Sequence, residues 1–303
     1  MTDAINDAWA LLRSESVIWA MESGALNGLA VALARGHAPT AARQAPAPGG
    51  STAVIAIMGP LVRRGGMLAR LFGMTSYDDV KAQVGAAVAD ASVSAICLFV
   101  DSPGGVAGGC EECADIIHRA SRTKPTVAFV DGVMASAALW LGSGAGTITA
   151  SPSSEVGSLG VVTVHADVSR ALDQAGVTAT VLVSKVSPYK WETSSLAPLS
   201  TEARAQVQAE LDFIADKFVA AVSRGRRVSV GKVKSDFGKG RMMFAQKAKD
   251  AGLIDAVGSI DAVLASTPAS RRADRLAQLR APATERERRL DARQRRLELL
   301  RRA

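Results

Sequence analysis

From Ala53 onward, short unbroken apolar runs alternate with stretches whose apolar residues recur every three or four positions. The first pattern suits strands buried on both faces, the second amphipathic helices. "TAVIAIMGPLV" predicts a buried strand closed by Gly59-Pro60, and "SYDDVKAQVGAAVADASV" spaces Val80, Val84 and Val88 along one helical face. "SAICLFVDSPGG" predicts a second buried strand, Ile96 to Val100, ending in a glycine turn. "VAGGCEECADIIHRAS" then reads as helix, "TVAFVDG" as strand and "ASAALWLGSG" as a short helix. "GTITASPSSEVGSLGVVTVHADVSRALDQAGVTATVLVS" predicts short strands around a helix at Val168 to Gln174. "STEARAQVQAELDFIADKFVAAVSRGR" predicts a long helix opened by Ser200, with Glu202 and Glu210 ahead of Lys217 and Arg224, the charge order that suits a helix dipole. Repeated strand–helix alternation implies an α/β fold with right-handed crossovers and a largely parallel sheet.

The two ends break this pattern. "GHAPTAARQAPAPGG" (Gly36 to Gly50) has linker composition, which sets off residues 1–50 as a helical N-terminal arm with its linker and starts the globular body near Ser51. Within the arm, "SVIWAMESGALNGLAVALA" (Ser16 to Ala34) predicts a helix packed on a neighbour; Glu22, Asn27 and two glycines interrupt it, so it falls short of the roughly 18 apolar residues a membrane helix needs. Acidic Asp3, Asp7 and Glu15 stand where a signal peptide has basic residues, so no membrane span is expected. After Ser266 the composition turns basic. From Ser270 to Ala303 there are 12 Arg against 5 Asp and Glu, a net +7 equal to that of the whole chain. Residues 267–303 therefore read as a basic, helical tail, and the neutral body offers no nucleic-acid groove. Leu276, Ala283, Leu290 and Leu297 lie seven apart, but Pro282 interrupts the heptad.

Composition narrows the chemistry. At 48% hydrophobic over 303 residues the chain can bury a full core. Cys97, Cys110 and Cys113 cannot all pair, and nothing completes Cys110 and Cys113 into a zinc site. They read as reduced thiols of a cytosolic protein, with no metal expected. "DSPGG" (Asp101 to Gly105) follows a buried strand and precedes a helix, so its N–H groups face the carboxyl end of the sheet. Without a Gly-Lys-Ser/Thr or GxGxxG pattern a phosphate cradle is poorly supported, whereas an oxyanion hole needs only two converging N–H groups. Ser136 sits at the next strand–helix junction between Ala135 and Ala137. A serine hydroxyl there is either a small packing residue or a nucleophile, and a nucleophile needs a base. The bases on offer are His37 in the linker, His118 on a helix face, His165 after "GVVTV", and Lys185 or Lys190 in the loop "SKVSPYKWETSSLAPLS". A lysine serves when burial favours its uncharged form.

Taken in order, "VDSPGG", "MASAALWLGSGAGTITASPSSEVGSLGVV", "YKWETSSLAPLS" and "GRMMFAQKAKDAGLIDAVGSIDAVLA" resemble the signal peptide peptidase A family of serine-lysine peptidases. They resemble more closely its phage branch, the head maturation proteases also called protein C. The resemblance covers about Ala53 to Ala265 and implies a Clp/crotonase-type spiral of ββα units. It also implies Ser136 as nucleophile and a lysine base eight residues before a Pro-Leu pair, a spacing that Lys190 and Pro198 keep and that selects Lys190 over Lys185. By the same resemblance, Gly104, Gly105 and the Ala137 N–H are the oxyanion donors, and Gly157, Ser158 and Gly160 shape the site beside the nucleophile. No cofactor is implied. A ring-like homo-oligomer is, because in single-unit relatives the lysine can reach the serine of an adjacent subunit. The implied substrates are capsid scaffold and portal-associated proteins, met in the host cytoplasm or inside the phage prohead. The competing readings are a cellular signal peptide peptidase, a crotonase-like enzyme acting on thioesters, and a non-catalytic shell protein of the same fold.

Overall fold

The computed structural model describes residues 17–25, 51–66 and 73–266. The basic tail and most of the N-terminal arm, including His37, lie outside the described residues. A seven-stranded sheet forms the centre. Its parallel core joins β2 (Thr52–Met58), β5 (Ala95–Ser102), β7 (Thr126–Ala135) and β8 (Thr147–Ala150). Beyond β7, β9 (Glu155–Gly157) pairs parallel with Val133–Ala135, and β10 (Met242–Phe244) runs antiparallel to β9. Further back along the same edge of β7, β11 (Ala256–Val257) pairs parallel with β8. A smaller four-stranded sheet has the order β1 (Trp19–Met21), β6 (Gly104–Val106), β3 (Leu61–Val62), β4 (Thr75–Ser76).

The period-two geometry of β5 explains its unbroken apolar run. Ile96, Leu98 and Val100 enter the main core, while Cys97 and Phe99 pack on the opposite face with Met58, Phe129 and Val263. Both faces are buried, so no polar residue alternates in. Truncating Leu98, which is fully buried, to alanine costs about 2–5 kcal/mol.

Helices α1 (Tyr77–Ala89) and α2 (Cys110–Thr123) cover one face of this sheet. Val80 and Val84 of α1 are buried and Val88 packs at the core edge. Short helix α3 (Ala137–Gly142) follows β7 directly; α4 (Ser169–Gln174) lies in a long exposed connection. The long helix α5 (Thr201–Arg226) begins where the Ser200 hydroxyl accepts the Ala203 N–H at 3.0 Å. Phe218 of α5 stacks on Trp140 of α3, with centroids 4.7 Å apart and planes 4° from parallel. Lys217 pairs with Glu111 of α2 at 2.8 Å. Together these contacts clamp α3, and with it the residue before it, against α2 and α5. Helices α6 (Val230–Asp236), α7 (Ala245–Ala251) and α8 (Ile260–Ser266) complete the body. None of the helices among the described residues is long and apolar enough to cross a membrane.

Two local expectations need correction. Of the helix expected over Ser16 to Ala34, residues 26–34 lie outside the described residues, and Trp19–Met21 is a β-strand instead, because the three side chains are buried there and the backbone pairs antiparallel with β6. "GVVTV" and "VTATVLVS", expected as strands, have no ladder beyond one bridge of Val162 to Trp19. Val161 packs at the edge of the core, but most of the apolar side chains are exposed, Val164 at 66% and Leu182 at 92%.

Candidate active site

Strand β7 ends by delivering Ser136. Its register against β5 shifts between the pairs Val100–Val130 and Ser102–Met134. The gap holds Asp101, whose carboxylate accepts the Val133 N–H at 3.1 Å. Past the gap β7 keeps β5 on one edge, where Met134 lies beside Ser102, and exchanges β8 for β9 on the other, so that Ala135 lies beside Gly157. Ser136 then turns the chain with φ 53° and ψ −115°. This conformation is costly for any residue with a Cβ, by about 1–3 kcal/mol. Three bonds hold it: Ser136 N–H donates to Gly157 O at 2.9 Å, Ser136 O accepts from Trp140 N at 2.9 Å, and Ser136 Oγ donates to Gly160 O at 3.2 Å. Such a sharp strand-to-helix turn pushes a hydroxyl out of the sheet edge toward an incoming carbonyl. Ser136 is 1% exposed. Ala137 opens α3, so its N–H has no acceptor within the helix.

The glycine turn lies against the backbone on either side of Ser136. A Cβ at Gly104 would stand 2.9 Å from Ala135 O and 3.0 Å from Ala137 N, and would run into Ala20 O; φ there is +93°. Gly104 N–H donates to Ser102 Oγ at 3.2 Å, and that hydroxyl donates to Gly59 O at 2.7 Å. Ser102 is thus a buried brace of the turn that the sequence pattern did not single out, although it stands inside "DSPGG". Gly105 lies in β6 between β1 and β3.

On the third side, Gly157 adopts φ +151° with its Cα against the Arg241 backbone, and Ser158 N–H donates to Arg241 O at 3.1 Å. Gly160 supplies the acceptor for Ser136 Oγ. Of the residues expected at the site, Ser136, Ala137, Gly104, Gly105, Gly157, Ser158 and Gly160 therefore share one corner of the fold.

Among the described residues the candidate bases do not meet them. Lys185 and Lys190 are both exposed on the connection before α5, and Ser136 Oγ is bonded to a carbonyl instead. His165 is half-buried, with Nε2 3.1 Å from Ala197 O. His118 is half-buried and faces Arg122 and Arg224 across a cavity. Burial, reinforced by those cations, lowers its pKa. The three thiols are buried and unpaired. Burial raises Cys97 and Cys113 to about 12 and pushes Cys110 up as well, which removes thiolate as a nucleophile at neutral pH. Among the described residues no group of three or more His, Cys, Asp or Glu converges as metal ligands would.

A buried hydroxyl on a strained turn, set beside a glycine corner and a free helix-terminal N–H, has the parts for acyl transfer. Comparison with known proteins decides the lineage. The sequence profile of Peptidase family S49 matches residues 118–273. The chain belongs to peptidase family S49. That S49 span includes Ser136, Gly157 to Gly160 and both candidate lysines, while the glycine turn precedes it. The head-tail preconnector protein GP5 of Enterobacteria phage P21 is 33% identical over 203 residues, 67% of this chain and 40% of that protein. The capsid assembly protease C of Escherichia phage lambda is 32% identical over 212 residues, 70% of this chain and 47% of that protein. A cellular S49 relative, protease 4 of Salmonella typhi, is 29% identical over 194 residues, 64% of this chain and 31% of that protein. The chain thus spans less than half the length of either phage relative.

Proposed function

We propose that the chain is a serine endopeptidase that processes scaffold and other capsid proteins while a phage or prophage head assembles. The observation that carries this is the buried, positive-φ Ser136 held between the Gly104–Gly105 turn and Gly157–Gly160, in a chain whose phage relatives include a capsid assembly protease. The order β2, β3, β4, α1 and then β5, β6, α2, in which each main-sheet strand is followed by strands of the smaller sheet and a helix, supports a Clp/crotonase-type spiral.

In this reading Ser136 Oγ attacks the carbonyl carbon of the scissile peptide bond, and the uncharged amine of Lys190 takes its proton. The oxyanion accepts hydrogen bonds from the Ala137 N–H and from the Gly105 N–H; Gly104, whose own N–H is engaged by Ser102, provides the turn. Lys190 returns the proton to the departing amine, then draws one from the water that hydrolyses the acyl ester. Gly157, Ser158 and Gly160 fix the position of the nucleophile.

Lys190 acts from an adjacent copy. It lies on a connection that exposes Val164, Leu182, Val186 and Tyr189, at 66%, 92%, 94% and 70%, a concentration of apolar surface characteristic of an interface. A second chain covering that surface brings its lysine to this serine, in a homo-oligomer.

Mixing variants tests both points. Ser136→Ala and Lys190→Ala are each expected to leave candidate scaffold protein uncut, and a mixture of the two to regain cleavage, since some neighbouring pairs then hold an intact serine and an intact lysine. A Lys190→Ala protein as active as the unmodified chain removes Lys190 from the mechanism. An inactive mixture of well-assembled chains removes the shared site.

A further inference from the structure

The cleft beside Ser136 already contains a peptide strand, and it is the chain's own. Strand β1 lies antiparallel to β6 in the register Trp19–Val106, Ala20–Gly105, Met21–Gly104. The flanking bonds are Ala107 N–H to Ile18 O at 2.9 Å and Glu22 N–H to Pro103 O at 2.8 Å. Bonded pairs recur at every second position of an antiparallel ladder, so Ala20 and Gly105 form the bonded pair between them. The Gly105 N–H thus points at the Ala20 carbonyl. That same oxygen touches the Cα face of Gly104 on which the Ala137 nitrogen converges. On its other edge β1 bonds the segment that follows Gly160: Trp19 N–H to Val162 O and Val162 N–H to Trp19 O, both 2.8 Å.

We infer that Val17 to Glu22 is a resident occupant of the peptide-binding cleft, seated with the Ala20 carbonyl in the place of a scissile one, and that it excludes other substrates until it is displaced. The inference rests on the peptidase reading above for the meaning of the cleft, but the occupancy itself rests on the ladder. Main-chain bonds on both edges are how an added strand is recognised without regard to most of its side chains. Small Ala20, fully buried, is what the tight glycine corner admits. Past Met21 the cleft stays open: a cavity of about 520 Å³ is lined by Met21, Glu22, Ser158, Gly160, Val162 and Arg241. The occupant turns out of the cleft immediately afterwards, because the Glu22 carboxylate accepts the Gly24 and Ala25 N–H groups at 2.8 Å.

A strand that only supports the fold and a strand that blocks the site give opposite signs in one experiment. Ala20→Pro removes the Ala20 N–H and forces bulk against Gly104, which weakens β1. In the full-length protein, labelling by a fluorophosphonate probe is expected to rise about tenfold. This follows from removing an intramolecular competitor whose effective concentration is in the millimolar range. The free peptide VIWAMES, the sequence of Val17 to Ser23, then inhibits the variant, while a scrambled peptide does not. For a purely supporting strand the variant labels more slowly and the peptide restores it; that result overturns the inference. If Ala20→Pro fails to fold, Glu22→Pro leaves the Ala20–Gly105 pair intact, deletes the bond to Pro103 O at the strand's end and the carboxylate bonds to Gly24 and Ala25, and gives the same readout. Binding of fluorescein-labelled VIWAMES, followed by anisotropy, separates the two levels of argument. Peptide bound by the variant and not by the unmodified chain, with no Ser136-dependent labelling in any form, refutes the peptidase reading and leaves the occupancy standing. Ser136-dependent labelling that neither the substitution nor the peptide alters refutes the occupancy alone.

Discussion

If the turn at Ser136 stores strain, replacing the serine by glycine must be kinder to the fold than replacing it by alanine. Both substitutions remove the Ser136 Oγ bond to Gly160 O, 3.2 Å long, worth about 1 kcal/mol, so that loss cancels between them. At an unstrained site glycine is the worse of the two by about 0.5–1 kcal/mol, through the freedom it adds to the unfolded chain. At φ 53° and ψ −115° a Cβ costs about 1–3 kcal/mol that glycine escapes. The balance favours Ser136→Gly by about 1 kcal/mol. In urea unfolding, with a slope of about 3 kcal/mol per molar, its midpoint should lie about 0.3 M above that of Ser136→Ala. Neither variant should be labelled by a fluorophosphonate. A glycine variant that unfolds about 0.5–1 kcal/mol more easily than the alanine one refutes the argument, since it would mean that the turn is relaxed and the hydroxyl is not held by strain.

Gly104→Ala places a Cβ at φ +93° against Ala20 O and 3.0 Å from Ala137 N; a loss of more than about 2 kcal/mol in urea unfolding is expected, with labelling of Ser136 abolished. His118 has a pKa lowered chiefly by burial, so below its ordinary value near 6.5 the unfolded chain binds more protons than the folded one. Stability therefore falls as pH drops through and below 6.5 and is fully present above it; urea midpoints at pH 5 and pH 7.5 should differ, and His118→Gln should flatten the difference. With Cys97 and Cys113 raised to about 12 and all three thiols buried, iodoacetamide at pH 8 should add no mass to the native protein, whereas the urea-unfolded chain takes three equivalents.

Periodicity located the main sheet because β2, β5 and β7 are covered on both faces, and the resulting short apolar runs, such as Ile96 to Val100, are what strands packed on both sides require. The long helix was equally visible, since its cap is a local bond of Ser200 to the third residue on. "GVVTV" and "VTATVLVS" misled for a related reason. Strand propensity says that a segment suits pleated pairing, not that a partner exists in the same chain, and Val164 and Leu182 remain uncovered. Trp19 to Met21 misled in the opposite sense. Three residues inside an apolar stretch read as helix by spacing, and only pairing with β6 and Val162 makes them a strand.

The amino-acid sequence alone determined which residue types carry the chemistry: one serine between alanines after a buried strand, two glycines after another, and the family to which their order belongs. These are local and sequential properties, set by burial and turn geometry over a few residues. The tertiary structure decided which of them meet. Ser136, Gly104 and Gly160 are brought together because β7, still paired with β5 past the Asp101 gap, exchanges β8 for β9 on its other edge, and no spacing along the chain encodes that exchange. It also decided that Lys190 faces outward and that the chain's own Ala20 lies against the glycine corner. Both outcomes depend on competition between segments for one edge of a sheet, which is settled only when the whole body has packed.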